Sequence, residues 1–329
     1  MLKIMRINIG ILYAAFLAAA ALVGCEVNDT VSEPEDERTV RLEVRLPSDL
    51  TKVIGTEEEN AVKNLQVFVF DHNGMLEAYA KSTSSSLSLS CSSGTKEVVA
   101  LVNAQDLTDV VSLVDLEGRR SYLADNSIGS FVMEGRSTPT LRASSSVEIP
   151  VCRIASRVAL TEVSVDFELE QHNRQTFQIT SIYLLNVAGD RTYLTATAPV
   201  KWHNRMVKEA DSPSITGVTL TDAYASKSSP YSKTHYLYCY PNPTTSDVSG
   251  GTWSARFTRL VVEAKLGGKL YYYPVNLEDG LKSNTAYDVK LKITRPGSSS
   301  PDKPVDSVAA TFSVSVQPWY DGIAVNETI

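Results

Sequence analysis

The chain has 329 residues, long enough for two domains of ordinary size, each with its own core. With 43% apolar and 21% charged residues it has the balance of a globular protein. The formal charge is −7 and no run of Lys/Arg exceeds two, which excludes the basic footprint of a nucleic-acid binder.

The N-terminus reads as a secretion signal. Lys3 and Arg6 supply the charged region, and Ile7 to Val23 is an almost unbroken apolar run. It ends in Leu22-Val23-Gly24-Cys25, which resembles a bacterial lipobox, where signal peptidase II cuts before a cysteine that is then diacylated. A plain cleaved signal and a retained membrane helix are the competing readings. Small residues abutting Cys25, followed by the polar EVNDTVSEPEDE, favour the lipoprotein. No other stretch approaches the ~20 apolar residues that span a bilayer. Loss of residues 1–24 removes Lys3 and Arg6 and moves the formal charge from −7 to −9. Residues 25–37 form an acidic tether, with six acids and no base after Cys25.

Thr39–Leu46, TVRLEVRL, alternates with a period of two. Val40, Leu42, Val44 and Leu46 share one face, and Arg41, Glu43 and Arg45 the other, the pattern of a half-buried strand. A polar loop, PSDLTKVIGTEEENAV, follows. A strand held on such a loop can leave its sheet after one backbone cut, for example after Lys52. Asn64–Asp71 is apolar on both faces and suits a central strand. Asp71-His72-Asn73-Gly74 turns the chain into a hairpin; a calcium loop is disfavoured there because its twelfth position is Ser82.

Lys96–Asn103 reads as another buried strand, and Thr108–Leu116 as the one fair helix, behind a Thr cap. Glu117–Ser130 is polar and irregular. Further strands are expected at Phe131–Glu134, Ser146–Val151, Arg157–Phe167, Phe177–Val187, His235–Tyr240, Phe257–Ala264 and Lys269–Val275. Lys201–Pro230 reads as surface loops. Asn284 to Thr294 is a strand. After a Pro/Gly/Ser break come Ala310–Gln317, with Phe312, Val314 and Val316 in a row, and Gly322–Ile329, with Ile323, Val325 and Ile329 in a row.

Catalytic signatures are missing from the sequence: there is no HExxH, GxSxG, P-loop or CxxC pattern, and nothing supports an enzyme, a cofactor or a metal. Acidic runs such as Glu57-Glu58-Glu59 read as solvated faces. Past the signal, Cys91, Cys152 and Cys239 fit no metal motif and read as small buried residues in strands; one disulfide with a spare thiol stays open. Tyr236, Tyr238 and Tyr240 share a strand face, and cross-strand packing is the commoner cause of such a row than a sugar platform.

Laid end to end, these features resemble the fimbrillins, the type V pilus subunits of Bacteroidales (major fimbrial subunit family). The matching stretches are LVGC, VRLEVRLPSDLTKVIG with VKNLQVFVFD, KEVVALVNA, RIASRVALTEVSV, KLYYYPVNL, and NTAYDVKLKITRPGSSSPDKPVDS followed by FSVSVQPW. They span nearly the whole chain after Cys25, and their order and spacing carry the likeness.

The resemblance implies an all-β fold with minor helix: two β-sandwich domains in tandem, of transthyretin-like or Greek-key type, at 38–156 and 157–329. It implies a precursor carried by the lipoprotein export machinery, lipidated at Cys25 and held at the outer membrane. A trypsin-like protease would then cut near Lys52, releasing the strand that carries Val40, Leu42, Val44 and Leu46. The groove left behind would take donor strands from residues 310–329 of another subunit, a copy of this chain or a relative. Those strands carry Phe312, Val314, Val316, Trp319, Ile323, Val325 and Ile329. Repetition builds a fimbria on the cell surface, which can meet host or bacterial receptors. The family's best-known members have arginine at the cut. With Lys52 there, either the protease accepts lysine, or it cuts at Arg45, or the subunit stays uncut. The alternative reading is therefore an uncut surface lipoprotein, a fimbrial anchor or a tip adhesin that binds glycans through Lys201–Pro230 and the tyrosine strands.

Overall fold

Period-two rows of β-branched and aromatic residues become strands throughout the computed structural model, which describes residues 39–47, 57–195, 197–204, 217–246, 255–301, 303 and 310–319. Cys25, Lys52, Ile323, Val325 and Ile329 lie outside the described residues, as do the signal, the tether and the last expected strand. In the first half the strands are β1 (Thr39–Arg45), β2 (Leu65–Phe70), β3 (Leu76–Ser82), β4 (Ser86–Ser92), β5 (Gly94–Thr95), β6 (Glu97–Val102), β7 (Arg120–Tyr122), β8 (Met133–Ser137), β9 (Thr140–Leu141), β10 (Ser144–Glu148) and β11 (Cys152–Arg153). Eight of them make a three-stranded sheet, β10-β1-β4, over a five-stranded sheet, β11-β8-β6-β2-β3, and β5 pairs with β9. Sequence-distant strands lie side by side in both, as Greek-key connections require.

Val40, Leu42 and Val44 of β1 pack in one buried cluster with Leu65, Val67 and Val69 of β2 and Val98, Ala100 and Val102 of β6. The opposite face of β2 is equally buried, with Phe68 and Phe70 in a second cluster, so the apolar run on both faces of this strand has its explanation. Asp71 closes the following hairpin by accepting from the N–H groups of Asn73 (2.8 Å) and Met75 (2.9 Å), with Gly74 at φ 74°.

In the second half the strands are β12 (Ser156–Val165), β13 (Phe177–Leu185), β14 (Val187–Ala188), β15 (Asp190–Thr192), β16 (Trp202–His203), β17 (Gly217–Ala225), β18 (His235–Cys239), β19 (Arg259–Leu266), β20 (Lys269–Asn276), β21 (Thr285–Ile293) and β22 (Ala310–Pro318). Two four-stranded sheets result, β18-β12-β21-β22 and β17-β13-β19-β20. Val158, Leu160 and Val289 from one meet Ile179, Ile182 and Val262 from the other. This cluster continues through Ala155, Ile154 and Phe131 to Phe68 and Phe70, so the two sheet pairs share apolar packing. A short ladder joins them as well: β7 pairs with β15, and Arg120 bonds buried Asp190 at 2.7 Å.

Four local expectations are corrected. The helix is α1 (Leu113–Gly118), capped by Ser112, whose hydroxyl accepts from the Asp115 N–H. Residues 111 and 112 are taken instead by the hairpin: Leu76 N–H donates to the Val111 carbonyl and Met75 bridges Ser112. Within Glu117–Ser130, read as irregular, lies β7, too short to show a period. Within Lys201–Pro230, read as loops, lies β17, an edge strand. Its pairing with β13 shifts between Ile179 and Ser181, which changes the phase of its inward residues and hides the alternation. Cys152 departs from the buried reading. Cys91 and Cys239 are buried, but Cys152 sits on the outward phase of β11 between buried Val151 and Arg153; all three are free thiols.

Candidate functional site: the first strand and the last

β1 is the central strand of its sheet. It runs parallel to β10 from Arg41↔Ser144 to Arg45↔Glu148, and antiparallel to β4 from Thr39↔Ser92 to Arg45↔Ser86. Val40, Leu42, Val44 and Leu46 are all buried, while Glu43 and Arg45 pair with each other at 2.8 Å on the surface, a contact of little energetic weight. At roughly 1.5–3 kcal/mol per buried side chain, the four apolar residues contribute on the order of 6–12 kcal/mol, an upper bound because the unfolded chain is already partly compact. Behind them lies a strand-shaped slot. Leu65, Val67, Val98 and Ala100 form its floor, and Leu87, Leu89 and Val147 its walls.

Arg45 and its successor are tied into this sheet through the peptide bond between them. The Arg45 carbonyl accepts from the Ile149 N–H at 3.0 Å, and the Leu46 N–H donates to the Ser85 carbonyl at 2.9 Å. A protease must draw an extended, unpaired backbone into its own cleft, so this bond is protected while the sheet stands.

β22 is built the opposite way. Among the described residues it pairs on one side only, with β21, from Thr285↔Pro318 to Ile293↔Ala310. Phe312, Val314 and Val316 stand opposite Leu291, Val289 and Tyr287, on the core-facing side, yet Phe312 is 48% and Val316 59% exposed. Among the described residues no layer covers them. One cleft of about 340 Å³ lies between this row and Leu277–Gly280, and another of about 350 Å³ between Phe312 and Tyr273–Val275. The chain thus holds a strand whose apolar row it buries completely and another whose apolar row it leaves partly in water.

Trp319, at the foot of β22, is buried in a joint that sequence reasoning missed. Its backbone N–H donates to the Asn284 carbonyl at 2.8 Å. Its indole N–H donates to Glu59 Oε2 at 3.3 Å, and its ring stacks on Tyr238 (centroids 5.7 Å apart) and meets Phe131 edge-on (5.2 Å). Arg153 lies over the indole at 4.7 Å and Arg157 at 5.6 Å. Glu59, whose sequence neighbours Glu57 and Glu58 suggest a solvated run, is only 2% exposed, and its carboxylate also accepts from Arg157 Nη1 (3.2 Å) and the Tyr238 hydroxyl (2.8 Å). The 3-10 turn Glu57–Asn60 points it inward, and no period in a four-residue turn signals that. Burial, and then the neighbouring Glu59 charge, push the Tyr238 phenol upward, so it stays a donor. Burial draws the Arg153 guanidinium down to about 10, which leaves it charged at neutral pH.

The tyrosine row is therefore mostly committed to structure. Tyr238 bonds Glu59, and Tyr240 bonds Ser121 (2.7 Å) and Asn126 (2.8 Å). Tyr236 is the exposed member, with Arg157 4.9 Å from its ring centre.

The family model described as "Major fimbrial subunit protein (FimA)" matches residues 42–155. Among solved structures, a candidate cell-adhesion protein from Bacteroides eggerthii shares the fold with a TM-score of 0.68 and 16% identity, over 86% of this chain and 97% of that one. A fimbrilin from Porphyromonas gingivalis follows at 0.61 and 15%, over 85% and 97%. The tip fimbrial protein Mfa3 of the same species, C-terminally truncated, is similar at 0.52 and 14%, over 86% and 100%. At these identities the structural likeness speaks for the all-β fold; over residues 42–155 the chain is also similar to major fimbrial subunits. The resemblance to fimbrillins read from the sequence is borne out.

Proposed function

From a first half that carries the major fimbrial subunit pattern, we propose that this chain is a structural fimbrial subunit of two sandwich domains, 38–156 and 157–329, that polymerises by exchanging strands after proteolysis. The precursor is a lipoprotein anchored through Cys25. A trypsin-like protease cuts after Lys52, the one basic residue between Arg45 and Lys63. The bonded peptide after Arg45 makes the alternative cut unfavourable in the folded subunit. β1 then leaves, and residues 310–329 of the next subunit enter its slot.

The observation that carries this reading is the contrast between β1 and β22. A donor row that is half in water on its own subunit, and bonded along one edge, gains burial and a second ladder on entering the slot. Slot and donor belong to different parts of the subunit, so the contact is head-to-tail and propagates without closing.

The intact mass of the protein recovered from its own cell surface tests the proposal. The expected mass starts at Val53 and carries no acyl chains. A mass starting at acylated Cys25 would instead mean that the slot stays filled from within, and the chain would be an anchor or a surface-binding lipoprotein.

A thiol reports on the slot independently. Cys91 stands opposite Val40 in the β1–β4 ladder and is buried; burial, with Glu77 nearby, pushes its thiol upward and keeps it inert. In a Cys152→Ser background, maleimide is expected to leave the uncut subunit unlabelled, to label Cys91 once β1 has been stripped, and to fail again once a donor fills the slot. Equal labelling before and after stripping would show that Cys91 does not lie under the removable strand.

A further inference from the structure

The joint around Trp319 brings together two segments that lie 260 residues apart in sequence. Glu59 sits in the 3-10 turn that begins five residues after Lys52, so it belongs to the first described turn beyond a cut there. Trp319 directly follows β22. Arg153 binds both sides at once. Its Nε and Nη2 donate to the Glu59 carbonyl (3.2 and 3.1 Å), its Nη2 reaches the Asn60 side chain, and its Nη1 reaches the Trp319 carbonyl at 3.5 Å.

We propose that Glu59 and Trp319 form a clasp that couples the state of the first-strand loop to the hold on the C-terminal strand. In the uncut subunit the turn at Glu57–Asn60 is tethered on both sides, by β1 through its loop and by β2 directly. A cut removes one tether, and the turn gains the freedom of a chain end. The Glu59 carboxylate is the common acceptor for Arg157, Tyr238 and Trp319, so fraying of the turn removes the bonds to all three together. It also leaves the buried Arg157 guanidinium without its carboxylate, which such a site tolerates poorly. The foot of β22 is then held by the Asn284 bond, the Arg153 contact and ring packing, without the indole bond to Glu59. A subunit would thus keep its C-terminal strand on its own body until its first-strand loop is cut. The coupling rests on the proposed strand exchange for its purpose, though not for its measurement.

Hydrogen exchange of the full chain tests it, with a specific-protease site inserted between Lys52 and Val53 so that the loop can be nicked once. In the wild type, nicking is expected to speed exchange of peptides from Thr311–Gln317 while Ser156–Val165 keeps its protection. Glu59→Gln should speed exchange of the same β22 peptides about tenfold or more in the uncut chain, and nicking should then add little, the signature of one shared interaction. Trp319→Phe keeps an aromatic ring but removes the N–H to Glu59, and is expected to behave like Glu59→Gln if that variant loosens β12 as well. Unchanged β22 exchange on nicking the wild type, or a nicking effect that adds in full to Glu59→Gln, would overturn the clasp. Polymerisation of nicked, β1-stripped subunits separates the two proposals. Loosened β22 without polymer would sink strand exchange and leave the clasp standing; polymer with β22 indifferent to nicking would do the reverse.

Discussion

A Leu42→Asp subunit is expected to fail to fold in its uncut form. Leu42 is fully buried at the centre of β1, paired on both sides and facing Leu65, Val67 and Val98 in the same cluster. Truncating such a leucine costs about 2–5 kcal/mol through lost transfer energy and the cavity left behind. A carboxylate in the same place adds several kcal/mol more, because a buried charge loses its hydration. The total reaches the whole stability of a typical domain, about 5–15 kcal/mol. Circular dichroism and a thermal melt check this: loss of the cooperative transition is expected. A melt within a few degrees of the wild type would mean that β1 is not part of the core. Glu43→Leu, on the outward face of the same strand, should melt near the wild type, which separates burial from a general intolerance of change in β1.

The same kind of substitution in β22 is expected to do the opposite. Phe312→Asp with Val316→Asp places two charges where the side chains are already 48% and 59% exposed, so the monomer should keep its cooperative melt to within a few degrees. Charges directed inward on an edge strand are a device that natural sheets use to block pairing with another chain. Once carried into a slot floored by Leu65, Val67 and Val98, the two carboxylates become buried and unpaired. Polymer formation from stripped subunits, followed as denaturant-resistant ladders on a gel, should fall below detection. Ladders like those of the wild type would remove the Phe312–Val316 row from the donor role and leave residues 320–329 to carry it. The two variants together make a sharp pair: one chemical change unfolds the monomer in β1 and spares it in β22.

Much of this architecture is written locally. TVRLEVRL alternates because one face meets a core and the other meets water, and β1 follows it residue by residue. LQVFVF is apolar on both faces because both of its faces are covered. Asp71 and Gly74 make the same turn wherever they occur between two strands, since the bonds involved span four residues. Such features depend on neighbours in the chain, so period and turn chemistry suffice to find them.

The rest was decided by partners distant in sequence. That β1 lies between β10 and β4, one parallel and one antiparallel, follows from how two sheets close over a shared core, and no pattern within β1 chooses those neighbours. The exposure of Phe312 and Val316 has the same origin: their alternation predicts a buried row, and only the absence of a covering layer above β22, among the described residues, leaves them in water. Glu59 shows the limit most clearly. Its sequence neighbours are acids on a polar loop, yet Arg157, Tyr238 and Trp319 arrive from 98, 179 and 260 residues away to bury it. Periodicity reports whether a face is apolar; whether that face is covered, and by what, is a property of the packed chain, because hydrophobic burial has no direction of its own and takes its geometry from whichever strands meet.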